Sequence, residues 1–434
     1  MIIIIYSETY KGAVAKRLGE SEYSYYFVLK EYRPVLERLG IVVAVGDPAN
    51  EVDALYRSAA AHGESCIFLS FTPPHQTLID LECPTIPIFA WEFDTIPSEV
   101  WHGDARNDWR IVFDKLGRAI THSDFAVRTV KAAMEQDYPI VTIPAPVWDR
   151  FDAVRQRITP CPICAGVDIS VIGTVVDTFA LDFQAEARRL PAPAGPEAPA
   201  RFTLDGVIYC SVFNPRDGRK NWHDMLCAFC LTFRENPDAT LVFKLTHHDR
   251  ALAFEHMLET IYRVSPFKCR VILILGYLEE ADYEKMVGAT SYALNASAGE
   301  GQCLPLMEFM SAGKPSIAPR NTALTDYLND DNSFRIASSL EPWCWPHDPR
   351  QAFRTRRHRI DFASLMQAYR DSYDVAKTDP ERYRLMSERA NRDLGAHCSQ
   401  ELTEGRLRAF LGIESPFAEA NKAQARVAAE DLIT

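Results

Sequence analysis

Short apolar runs rich in β-branched residues recur along the chain. Each is followed by a stretch in which apolar positions return every three or four residues. Ile2–Tyr6, Ile41–Val45, Cys66–Ser70, Ile86–Trp91, Ala119–His122 and Ile140–Ile143 read as strands. Between them Ser21–Leu39, Val52–Ala61, Asp108–Leu116 and Asp124–Met134 read as amphipathic helices, with Ser21 as a helix cap and Gly40 as a stop. Strands that are apolar at successive positions are buried on both faces. Alternated with helices, they imply a parallel, doubly wound α/β sheet.

The pattern breaks between about Trp148 and Asp205. Leu190-Pro-Ala-Pro-Ala-Gly-Pro-Glu-Ala-Pro-Ala is too rich in Pro for regular structure and reads as a surface excursion, although Val171–Val175 has the composition of a strand. Alternation resumes with strands at Val207–Phe213, Thr240–Leu245, Val271–Leu275, Ser291–Asn295 and Ser316–Ala318. The intervening helices are Trp222–Asn236, Leu252–Val264, Glu279–Ala289 and Pro305–Ser311, with a short one at Thr325–Asn329. From Phe362 to Leu411 the chain is mostly amphipathic helix. A length of 434 residues exceeds one ordinary core, which agrees with two such domains. The expected division is 1–204, 205–400 and a helical tail over 401–434.

Composition narrows the function classes. A net charge of −12 leaves no basic face for nucleic acid, while still permitting a local site for a small anion. The apolar opening Met1–Tyr6 is too short to cross a bilayer, and no other run reaches about 18 apolar residues, so a cytoplasmic protein is expected. Eleven cysteines scattered through strands and helices fit reduced thiols. Cys161/Cys164 and Cys227/Cys230 could together supply four thiolates to zinc. One-turn spacing on an apolar helix face makes core packing the preferred reading of the second pair.

The candidate chemistry lies in the second half. Asn295-Ala-Ser-Ala-Gly-Glu-Gly-Gln-Cys-Leu-Pro-Leu-Met-Glu308 runs from a strand through a loop of small residues into a helix. Such a loop presents backbone N–H groups and a favourable dipole to a phosphate. Glu300 and Glu308 flank it and can accept hydrogen bonds from sugar hydroxyls. Ser211-Val-Phe-Asn-Pro-Arg-Asp-Gly-Arg-Lys-Asn-Trp222 opens the first helix of the second domain and brings Arg216, Arg219 and Lys220, cations suited to a diphosphate.

With two doubly wound domains around them, these segments resemble the GT-B glycosyltransferases, specifically glycosyltransferase family 4. Glu300 and Glu308 match its Glu-x7-Glu motif. Ser297, Leu304-Pro305 and Met310-Ser-Ala-Gly-Lys-Pro315 match its surroundings. The likeness covers about residues 205–330 well and the first domain mainly in layout. It implies a GT-B fold, two Rossmann-like domains facing a cleft with C-terminal helices crossing back. It also implies that Glu300 holds the donor sugar, Glu308 the ribose diol, and the backbone of Gly301, Gln302, Cys303 and Leu304 the diphosphate. Lys220 matches the family's lysine. Asn214 stands where its arginine is usual, so Arg216 or Arg219 substitutes. Gly276-Tyr277-Leu278 falls where the base is met, and Gly12 is the counterpart of a glycine turn after the first strand. The family's histidine is missing from Pro87–Asp94; Glu92 or Asp94 occupies that space, and Asp94 can orient the acceptor hydroxyl or take its proton. His122 could line the same cleft, and Asp326 supports the motif from behind. Arg354-Thr-Arg-Arg-His-Arg reads as a solvated loop or helix face, with an anionic acceptor or membrane surface as the alternative.

The resemblance implies retaining transfer of a sugar from a nucleotide-sugar to a saccharide or lipid-linked saccharide, in surface polysaccharide or lipopolysaccharide synthesis, by a protein that can touch the inner face of a membrane. Glu300, Lys220, Arg216 and Asp94 are the expected catalytic set. No Asp-x-Asp pair offers a metal site, and cations with a helix dipole can balance the diphosphate, so no cofactor is expected. The alternatives are a GT-B epimerase or hydrolase of nucleotide-sugars, and a non-catalytic partner subunit. A nicotinamide dehydrogenase is disfavoured because no Gly-x-Gly-x-x-Gly follows the first strand.

Overall fold

The computed structural model describes residues 1–8, 23–158, 161–183, 193–247 and 249–413. Gly12, the expected Ser21 cap and the expected tail beyond 413 lie outside them.

The first half is β1 (Ile2–Tyr6), α1 (Tyr23–Leu39), β2 (Ile41–Ala44), α2 (Pro48–Ala61), β3 (Cys66–Ser70), β4 (Thr85–Phe89), α3 (Trp109–Leu116), β5 (Ala119–Thr121), α4 (Asp124–Ala133), β6 (Ile140–Thr142) and α5 (Trp148–Gln156). Its strands form one parallel sheet in the order β2-β1-β3-β4-β5-β6. Local chemistry sets the helix limits. Asp108 accepts from the Arg110 N–H to open α3, which ends at Gly117 with φ +73°. Ser123 accepts from the Ala126 N–H to open α4.

The second half is β7 (Cys164–Asp177), β8 (Ala200–Phe213), α6 (Trp222–Thr232), β9 (Ala239–Leu245), α7 (Arg250–Val264), β10 (Arg270–Tyr277), α8 (Glu280–Ala289), β11 (Tyr292–Leu294), α9 (Leu304–Ser311), β12 (Ser316–Pro319) and β13 (Ser333–Ile336). A hairpin of β14 (Ser338–Cys344) and β15 (Phe353–Ile360) follows, then α10 (Phe362–Thr378), α11 (Pro380–Cys398) and α12 (Gln400–Leu411). Neighbouring parallel strands run β13-β12-β11-β8-β9-β10, the doubly wound order of a Rossmann-like unit.

The break in the pattern hides structure. β7 is a long strand that pairs antiparallel with the start of β8 and then with β10. The expected boundary at 204/205 therefore falls inside β8, and the second sheet begins at Cys164. β8 leaves β7 for β9 at Gly206, where φ is +80° and a Cβ would stand 2.2 Å from the Asp238 carbonyl oxygen. Only glycine permits that bend.

The two halves are tightly joined. One apolar cluster runs from Ile3 and Ile88 in the first sheet to Ala293 and Met307 in the second unit. α12 returns to α1, where Arg38 Nε lies 2.7 Å from Glu404 and 3.0 Å separates its guanidinium from Gln400. The Trp148 indole donates to the Asn391 carbonyl at 2.9 Å. The basic run is neither loop nor helix: it is β15. Three of its four arginines are drawn into ion pairs, Arg354 with Glu99, Arg356 with Asp94, and Arg357 with Glu341 beneath the Trp343 ring. The Asp94 and Glu99 partners tie the hairpin to the first domain. No helix among the described residues is long and apolar enough to cross a membrane.

Candidate functional site

In the second sheet β8 and β11 are neighbours, but β8 leads on to β9 on one side and β11 to β12 on the other. The loops leaving their C-terminal ends therefore part and open a crevice, the usual ligand position in such sheets. Both candidate segments leave from this point. The β8 segment closes in a short 3-10 turn over Gly218–Lys220, capped by the Asp217 carboxylate on the Arg219 N–H. Asn221 then adopts the left-handed conformation (φ 52°) and α6 starts. After β11 the chain runs through buried Asn295–Gln302 and reaches left-handed Cys303 (φ 64°) before α9.

Glu300 is the centre of this crevice. Its carboxylate oxygens lie 2.7 and 2.8 Å from Lys220 Nζ. Oε1 also accepts from Ser297 Oγ at 2.6 Å and Asn295 Nδ2 at 3.0 Å, and the Glu300 N–H donates to Thr322 Oγ1. Burial alone would push the carboxyl up, but Lys220 and Arg219 outweigh it and hold it at about 2. It is an anion at any physiological pH. Arg219 lies beside it: Nη1 donates to the Gly299 carbonyl at 3.0 Å and pairs with Glu92 of the first domain at 2.9 Å, while Nε and Nη2 hold Asp217.

The first domain closes directly on this loop. A Cβ on Gly301 would lie 2.7 Å from Ala90 Cβ and 3.1 Å from the Trp91 nitrogen, and one on Gly299 3.0 Å from the Glu92 carbonyl oxygen. The glycines are required by close approach of a second backbone, not by backbone dihedrals. Gln302 continues the contact, its Oε1 accepting from the Ala145 N–H at 3.1 Å while its carbonyl accepts from the Tyr327 hydroxyl.

Glu308 stands apart from this cluster. It sits on the second turn of α9, where its Oε2 accepts a short hydrogen bond from the Tyr283 hydroxyl of α8. Burial raises its pKa most, and the Glu31 charge adds to it, giving about 7. Arg150 of α5 spans Glu31 at 3.5 Å and Glu280 at 2.7 Å, so a first-domain acid is tied to the second-domain helix that carries Tyr283.

The other sequence candidates scatter. Arg216 is exposed, its N–H donating to Asn214 Oδ1, so Arg219 is the arginine brought to Glu300. Asp94 faces the hairpin, accepting from Thr355 and from the Arg356 N–H and guanidinium. Glu92, the other candidate at that strand end, is the one that faces the crevice. His122 is buried, its Nδ1–H donating to the Ile143 carbonyl, and burial lowers its pKa to about 4. Asp326 caps α4 through the Asp124 N–H. Gly276 serves packing: a Cβ there would meet the Ile172 carbonyl at 2.4 Å. Tyr277 beyond it is exposed and Leu278 buried. Sequence reading missed Asn295 and Thr322. Asn295 could have been found as a polar residue ending a buried strand at the switch point. Tyr283, Arg150 and Glu31 carry no local signal, because they converge from three separate helices.

The sequence matches no protein-family model and no curated protein. The structure resembles solved ones along almost its whole length. A glycosyltransferase from Rickettsia africae aligns with a TM-score of 0.55 at 11% identity, covering 95% of this chain and 98% of that one. Sucrose-phosphate synthase from Thermosynechococcus elongatus aligns at 0.55 and 14%, covering 95% and 99%. Anabaena HepE, solved in complex with UDP and glucose, aligns at 0.52 and 11%, covering 95% and 99%. Two Rossmann-like units, C-terminal helices that cross back to the first, and this likeness together give the chain the GT-B fold.

Proposed function

We propose that the protein is a glycosyltransferase that moves a sugar from a nucleoside-diphosphate sugar to a saccharide or lipid-linked saccharide acceptor. The observation that carries this reading is the paired Lys220–Glu300 centre at the switch point of the second sheet, with Arg219 beside it. A site that must hold a sugar next to a diphosphate needs hydroxyl acceptors and cations in contact, and Glu300 with Lys220 and Arg219 could supply both. Among the solved structures of this fold are a glycosyltransferase and HepE in complex with UDP and glucose, which supports the same ligand class here.

In this scheme Lys220 and Arg219 take up the negative charge that develops on the leaving diphosphate, aided by the N-terminus of α9. Glu300 accepts from donor sugar hydroxyls and fixes the sugar, a positioning effect. Glu308 accepts from the ribose diol. The leaving phosphate oxygen receives the acceptor proton on the face it departs from, so the anomeric configuration is retained without an enzymic nucleophile. Lys220, Arg219 and the helix dipole balance the diphosphate, so the scheme calls for no resident metal. The assembly of a surface polysaccharide or lipopolysaccharide is the setting that such an acceptor suggests.

A thermal-shift panel of UDP-, GDP-, dTDP- and ADP-sugars tests the reading. A nucleotide-dependent rise in Tm that Glu308→Ala abolishes supports it. Silence across the panel, or a shift untouched by Glu308→Ala, removes the nucleotide assignment. The anomeric configuration of the product, read by proton NMR, tests retention separately.

A further inference from the structure

Four of the five N–H donors of the Arg219 guanidinium are engaged. It holds Asp217 through Nε and Nη2 at 3.0 and 2.9 Å, and Glu92 and the Gly299 carbonyl through Nη1 at 2.9 and 3.0 Å. Glu300 Oε2 lies 3.8 Å away. Within this cluster the carboxylates Asp217, Glu92 and Glu300 face the cations Arg219 and Lys220, so negative charge is already in excess. A diphosphate brings at least two further negative charges into a sheltered site, and all of them cannot be held there together.

One acid can leave at low cost. Asp217 is fixed by its own turn, through the Arg219 N–H. Glu300 is fixed by Asn295, Ser297 and Lys220. Of these three acids Glu92 is the one that reaches the cluster from the opposite domain, on the segment that follows β4, and its side chain is 15% exposed.

We propose that Glu92 and the donor diphosphate compete for Arg219: donor binding breaks the cross-domain Glu92–Arg219 bridge, Glu92 takes up a proton from solvent, and its freed carboxyl group becomes a hydrogen-bonding partner for the acceptor hydroxyl, imposing the order donor first, acceptor second. This rests on the nucleotide-sugar reading above. Burial together with the Asp217 and Glu300 charges already pushes the Glu92 carboxyl up, and Arg219 and Lys220 oppose that. Once the diphosphate claims both cations, the opposing effect is lost, which gives the uptake its direction. The bridge also shields Arg219 from other anions before the donor arrives.

Calorimetric titration of the full chain with UDP, GDP, ADP and dTDP, each in PIPES and in Tris at one pH, reads both binding and proton uptake. The wild type should take up more protons on binding than Glu92→Gln. The variant should bind the diphosphate roughly three- to tenfold more tightly, having lost the competing anion. Glu92→Ala, which removes the carboxyl group altogether, should show the same two changes. Subtracting the variants removes contributions from Glu308 and from the nucleotide itself. Equal proton uptake in wild type and variants, or unchanged or weaker binding in the variants, overturns the competition. If none of the four diphosphates binds the wild type, the nucleotide-sugar reading itself fails.

Discussion

Lys220 Nζ bridges both carboxylate oxygens of Glu300, at 2.7 and 2.8 Å, across the point where the second sheet reverses its winding. The two residues are eighty positions apart in sequence. They meet because β8 and β11 are adjacent parallel strands whose following loops part from one another. An acid that is 4% exposed is thereby kept ionised, ready to accept from hydroxyl groups.

Removing the lysine should be costly. Lys220→Met leaves Glu300 buried with Arg219 as its remaining cation, and loss of one partner of a sheltered pair destabilises by about 3–5 kcal/mol. Lys220 is 17% exposed, which points to the lower end. The double variant Lys220→Met/Glu300→Gln should recover much of that loss. Urea unfolding of the four proteins in the cycle measures it. The pH sign is fixed: Glu300 has a depressed pKa, so its contribution is present above the ordinary 4.5 and is lost as pH falls towards about 2. In Lys220→Met the loss should be smaller and complete at a higher pH, its onset being set by the unfolded carboxyl.

Nucleotide binding should depend on pH through Glu308. Its carboxyl is raised to about 7, and its ionised form is the stronger acceptor for a ribose diol. In Glu92→Gln, where the opposing proton uptake is removed, affinity for the nucleoside diphosphate that binds should therefore rise as pH increases through about 7. Tyr283→Phe deletes the hydrogen bond that lowers this pKa, so the transition should move to higher pH, and Glu308→Gln should flatten it. Fluorescence titrations across the range decide this. A transition that survives Glu308→Gln would assign it to another group.

Gly301→Ala tests the interdomain contact. The new Cβ would sit 2.7 Å from Ala90 Cβ, and relief requires backbone to move on one side or the other. A loss of about 1–3 kcal/mol is expected, with weaker donor binding, because Glu300 is the preceding residue. Gly117→Ala is a comparison with no neighbour within 4 Å of the new Cβ. It should cost stability through its positive φ alone and leave donor binding intact.

Asp94 and Glu92 should separate cleanly. Asp94 belongs to the β15 contact, and its partner Arg356 is 58% exposed. Asp94→Asn should lower stability by about 1 kcal/mol or less and leave nucleotide affinity unchanged. Thermal unfolding and a nucleotide titration on the same samples check both halves. A large loss of turnover with unchanged nucleotide affinity would return Asp94 to the acceptor side of the reaction.

The chain's local patterns determined a great deal. Apolar runs alternating with amphipathic helices specify parallel, doubly wound sheets, because each strand's two faces and each helix's one stripe must be buried. The small-residue loop at Gly299–Gln302 and the basic turn at Arg219–Lys220 were legible because an anion site at a helix start is built from consecutive residues. What the sequence could not decide was everything set by distant partners. β7 was obscured by a Pro-rich neighbourhood and is held by its pairings to β8 and β10. The basic run is a strand through its ladder with β14, and Asp94 and Glu99 of the other domain neutralise part of its charge. The choice of Glu92 over Asp94 at the crevice, and of Arg219 over Arg216, followed from which side chains the closed interface brings within hydrogen-bonding distance. Electrostatic and packing energies depend on separation in space, and residues from opposite domains have that separation only once the two sheets are docked.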